Sequence, residues 1–155
     1  MVTNRGFGDS YGPAFATNIM MLASQNAATL YGMMTAALMY TRVARNDASN
    51  YQLEVSLGAK AIEALNQALC RPVPIVSDAI IWAVLALGYS GYVGELRTGK
   101  RPRQSFLREL QSLHIYGRLV INQAHVSGLI RLVQMIGGID QLKTPGIAQV
   151  MSLYV

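Results

Sequence analysis

The chain has 155 residues, 52% of them hydrophobic and 14% charged, enough for a core of its own and too apolar for a disordered polypeptide. Its one cysteine, Cys70, excludes an internal disulfide framework and any zinc centre built on several thiolates, and points to a reducing compartment inside the cell, cytoplasm or nucleus. The formal charge of +5 is local: Arg97, Lys100, Arg101, Arg103 and Arg108 come with no acid among them, and the rest of the chain is balanced.

Residues 1–12 hold Gly6, Gly8, Asp9 and Gly12 where an export signal needs an apolar run, so they read as a flexible N-terminal segment. From Ser10 to Thr41 no residue is charged, a length able to span a bilayer. Ser24, Gln25 and Asn26 fall in its middle, however, and split it into two helices outside a membrane, one from Pro13 to about Leu22 and one capped by Ser24 and running to about Arg42.

Ser49 and Gln52 have the spacing of a capping box, followed by an apolar stripe at Leu53, Leu57, Ala61, Ala64, Leu65, Ala68 and Leu69. Arg71-Pro72-Val73-Pro74 ends that helix, and Ser77-Asp78 opens the next, Ala79 to about Gly88. This segment is apolar on every side, which predicts a central helix with the others around it. Residues 91–104 form a Gly-rich basic loop, Ser105 to about Leu113 a short helix, and Tyr116-Gly117 a turn. Asn122 caps a helix to Ile136 that Gly137-Gly138 stops, and Thr144-Pro145 begins a last one. Strand signals are weak throughout. The expectation is one all-α domain over residues 1–155, with six to seven helices around a central apolar helix.

Several stretches carry a resemblance: Leu110-Gln111-Ser112-Leu113-His114-Ile115-Tyr116-Gly117, His125-Val126-Ser127-Gly128-Leu129, Leu132-Val133-Gln134-Met135-Ile136-Gly137-Gly138 and Pro145-Gly146-Ile147. Together they resemble the fungal-specific transcription-factor domain of the zinc-cluster regulators, with weaker likeness from about Met20 onward. The resemblance implies a helical regulatory domain, of which the chain matches the N-terminal half, and an N-terminal Zn2Cys6 cluster that binds DNA, which a single cysteine cannot build. Ile136 stands where that family's stop carries arginine. Half of such a domain leaves apolar surface to be covered, so the expectation is a homodimer.

The candidate site residues follow from residue type and face. His125 shares a helical face with Leu129, Leu132, Val133 and Ile136, pointing inward, either as a satisfied core histidine or as a general acid/base in an apolar pocket. His114, Tyr116 and Arg118 cluster at a turn, where they would hold an oxyanion or enol or merely pack. Trp82 and Tyr89, on one helical face, join Met34, Leu129 and Met135 as candidates to line a cavity for a small apolar ligand, with core packing as the plainer role. Asp78 reads as a first-turn carboxylate favoured by the helix dipole. No stacking aromatic interleaves with the basic run until Phe106, so nucleic-acid binding is the minor reading of it and a solvated loop the major one. No metal-ligand spacing, nucleotide loop or nucleophile elbow occurs, so no cofactor is expected. Two functions remain open: a self-associating regulatory or interaction module, and a small enzyme of secondary metabolism moving a proton on an apolar substrate.

Overall fold

The computed structural model describes residues 11–45, 47–92 and 119–151. Residues 1–10, the basic run, the helix expected over 105–113 and the turn at Tyr116-Gly117 lie outside them. Among the described residues the architecture is all-α: α1 (Tyr11–Gln25), α2 (Ala27–Arg45), α3 (Tyr51–Leu69), α4 (Asp78–Ala86), α5 (Gln123–Met135) and α6 (Ile147–Met151), with one 3-10 turn at Ile139–Gln141.

The expected central helix is α4. Ile80, Ile81, Ala83, Val84 and Leu85 are all buried, and α4 packs against α2, α3, α5 and α6. A nine-residue helix with no polar face cannot sit at a surface, so its neighbours surround it. Gly32 on α2 sits close against α4: an added Cβ would lie 3.2 Å from the Ala83 carbonyl oxygen. Thr29, one turn earlier and fully buried, donates its hydroxyl to the Ala79 carbonyl at 2.7 Å. This satisfies a hydroxyl that would otherwise be costly to bury.

Several boundaries differ from the sequence expectation. Asn26, not Ser24, starts α2: its Oδ1 accepts the Thr29 N–H at 3.1 Å, while Ser24 turns its hydroxyl back to the Met21 carbonyl. The expected capping box at Ser49 and Gln52 does not form, because Asp47 takes both the backbone N–H and the hydroxyl of Ser49, and Asn50 precedes α3 without a side-chain cap. Ser77 does cap α4, accepting the Ile80 N–H, and Asn122 caps α5 by accepting from the Ala124 and His125 N–H groups. Gly137 and Gly138 stop α5 in left-handed conformations, φ +94° and +113°, which glycine adopts without a Cβ clash. The last helix starts at Ile147, later than Thr144-Pro145, because Gly146 at φ +94° holds a turn first.

A larger difference is the antiparallel ladder of β1 (Tyr89–Tyr92) and β2 (Leu119–Ile121), where a loop is expected from Gly91. Tyr89 faces Ile121 and Tyr92 faces Leu119, with an irregularity between Tyr89 and Gly91. The Asn122 N–H then reaches the Gly88 carbonyl at 2.7 Å, so the end of β2 is drawn to the end of α4.

Candidate functional site

α3, α4 and α5 leave an open groove of about 400 Å³ between them. α3 contributes Ile62, Leu65, Asn66 and Leu69, α4 contributes Val84, and α5 contributes Ala124, His125, Gly128, Arg131, Leu132 and Met135, with Pro74 closing one end. The local reason is periodicity: 125, 128, 132 and 135 recur at three and four residues and form one face of α5, as 62, 65, 66 and 69 do on α3. Leu65, Val84 and Leu132 are buried and make the floor, whereas Ile62 and Met135 are exposed at the mouth. Gly128 has nothing within 4 Å of where a Cβ would stand, so its missing side chain is itself part of the opening.

His125 is half-buried at the first turn of α5, and burial pushes its imidazole below the ordinary value of 6.5 toward the neutral form. Its ring makes no hydrogen bond among the described residues, and His125 lines the groove. Arg131 is the one formally charged lining residue, and it too has no hydrogen-bond or ion-pair partner among the described residues. No described lining residue carries a carboxylate or a hydroxyl.

The other candidates do not gather here. Met135 lines the same groove as His125, but Leu129 is 2% exposed in the core and Met34 is 43% exposed on the outer side of α2. Trp82 is half-buried with its ring edge-on to Phe15 at 5.4 Å, and its Nε1 is buried without a hydrogen-bond partner among the described residues. Tyr89 belongs to β1, so it shares no helical face with Trp82; the chain leaves α4 at Ala86, before the turn that would align them. His114, Tyr116 and Arg118 lie outside the described residues. Gly128 and Arg131 were not read as site residues from sequence, although a lone glycine inside an amphipathic helix is a signal of close approach or an opening.

A second, wider cleft of about 710 Å³ lies between the α1–α2 junction and the start of α4, lined by Gln25, Asn26, Ser77, Asp78, Gln141, Lys143 and Thr144 among others. Its carboxylate is engaged: Asp78 Oδ2 accepts the backbone N–H groups of Lys143, at 2.8 Å, and Thr144. Asp78 is thus a fastening for the C-terminal segment as well as a first-turn acid. Between α2 and α3, Arg42 and Glu54 form a buried two-pronged pair at 2.7 and 2.9 Å, with the guanidinium over the Tyr51 ring. This pair joins helices and faces neither opening.

Among the described residues no three His, Cys, Asp or Glu side chains come together to hold a metal ion, and no helix is long and apolar enough to cross a membrane. Comparison of the chain with protein-family models, curated proteins and solved structures gives no match.

Proposed function

We propose that the chain is a non-catalytic binding module whose site is the α3–α5 groove, taking a small apolar or amphipathic guest. The groove carries the reading: its volume lies in the range of small-molecule sites, about 300–1,000 Å³, and its lining is apolar with a few polar groups at the edge. The module self-associates through the outer stripe of α2, where Ala27, Leu30, Met34 and Ala37 are exposed one turn apart with no charge among them. The motifs quoted from the second half favour a regulatory use inside the cell, in cytoplasm or nucleus, over a metabolic one. That part of the reading rests on the motifs alone, since no family model matches.

Proton-transfer catalysis is the second reading, and one observation favours it: a neutral-leaning histidine lines an apolar groove. Catalysis also needs a partner to orient that imidazole or to share the proton, and the described lining holds Asn66 and Arg131 but no carboxylate or hydroxyl, with neither hydrogen-bonded to the ring.

Native mass spectrometry of the purified chain tests the proposal, because it reports subunit count and bound mass together. A dimer that takes up an apolar probe, and loses that uptake in Gly128→Leu, is the expected result. A strictly monomeric chain that binds no apolar probe would sink the reading.

A further inference from the structure

Resting on the binding-module reading, we propose that the α3–α5 groove is selective for a small amphipathic carboxylate, an acyl or aryl-alkyl acid whose carboxylate is held by Arg131 and whose tail lies over Leu65, Val84 and Leu132. The charge pattern points to this class. Arg131 is the one formal charge in the lining and no acid stands beside it there. Arg131, exposed and without a partner among the described residues, follows Gly128 by three residues on α5, and both line the groove, so a guest that uses the opening at Gly128 lies within one helical turn of the arginine. A guanidinium at the rim of an apolar trough is complementary to an anion with an apolar tail: two parallel N–H donors match a carboxylate, and the tail removes water from the floor.

Other occupants fit less well. A neutral hydrocarbon gains the floor and leaves the guanidinium unused; a cationic amphiphile meets repulsion at the same point. His125, held toward its neutral form, adds no second fixed charge and leaves the selectivity to Arg131. A stable protein interface takes about 20–30 residues from each side, whereas the groove is lined by 12 described residues and its volume of about 400 Å³ is the scale of a small molecule.

The test is a titration of the full ¹⁵N-labelled chain with decanoate, decan-1-ol and decyltrimethylammonium, each below its micelle concentration, following the backbone amides of residues 62–69 and 124–135. Decanoate is expected to shift these amides and to bind about ten-fold tighter than decanol, the scale of one charge-assisted hydrogen bond. Arg131→Gln, an exposed site where the fold is undisturbed, is expected to bring decanoate down to the level of decanol without altering decanol itself. Gly128→Leu is expected to remove both. If the wild-type chain binds decanol or the ammonium as tightly as decanoate, or if decanoate binds only in the cleft around Lys143, the carboxylate inference falls while an apolar groove that still takes decanol leaves the module reading standing. If none of the three probes moves the groove amides, both fall.

Discussion

At the scale of single residues, the strongest electrostatic commitment is the Arg42–Glu54 pair, which is buried between α2 and α3. Deleting one member of such a pair leaves a charge in the interior without its counterion, a loss of about 3–5 kcal/mol, while replacing both by apolar groups is often neutral. Glu54→Ala should therefore lower stability by that order in urea unfolding, and the double variant Arg42→Met/Glu54→Leu should recover most of it. His125 gives a pH signature. Burial lowers its folded-state pKa below 6.5, so the unfolded chain binds the proton first as pH falls; stability is full above about 6.5 and declines below it until the folded-state value is passed. His125→Gln should flatten that part of the stability profile, measured by denaturant titration between pH 7.5 and 4.5. Neither residue pair nor shift is visible from spacing alone. Arg42 and Glu54 stand on different helices, and nothing short of the α2–α3 packing tells which of the exposed-looking charges is enclosed.

At the scale of elements, glycines separate packing from conformation. Gly128 is an ordinary helical position with open space at its Cβ, so Gly128→Ala should stabilise the chain by about 0.5–1 kcal/mol through helix propensity. Gly146 is the opposite case: its φ is +94° and a Cβ there would run into the Phe15 ring, so Gly146→Ala should destabilise by about 1–3 kcal/mol from the backbone strain alone. Thermal melts of the two variants should thus move in opposite directions. The local signals that proved legible are those decided within one turn: Ser77 and Asn122 as caps, Gly137-Gly138 as a stop, and the all-apolar α4. Those that failed were decided by competitors. Ser24 and Asn26 are both good caps, and the choice goes to Asn26, three residues before the Thr29 that is anchored to the Ala79 carbonyl. Ser49 is taken by Asp47, whose carboxyl is held below the usual carboxylate range first by the Ser49 backbone N–H and then by its hydroxyl.

For the molecule as a whole, the tie from Asp78 to the Lys143 and Thr144 backbone fastens the start of the central helix to the segment that leads into α6. Asp78→Ala should cost about 1–3 kcal/mol by stranding those donors, and hydrogen exchange at the Lys143 and Thr144 amides should accelerate more than at the α3 core, with Asp78→Asn intermediate. The groove was only half legible for the same long-range reason. His125 and Met135 could be placed on one face of α5, but Ile62, Leu65 and Val84 come from elements whose packing against it no local pattern discloses. The β1–β2 ladder was missed because its strands are three and four residues long and far apart in sequence, and period-two alternation has no room to show. That ladder has a practical corollary. Because Tyr92 and Leu119 are paired neighbours, residues 93–118 leave and re-enter the frame at adjacent points, and a two-residue Asn-Gly turn can bridge the same gap. A chain in which such a turn replaces residues 93–118 measures, by its circular-dichroism spectrum and melting transition, how much of the frame's stability the helices hold on their own. His114, Tyr116, Arg118 and the whole basic run go with the excised stretch, so in a shortened chain that stays folded, whatever binding survives belongs to the helices.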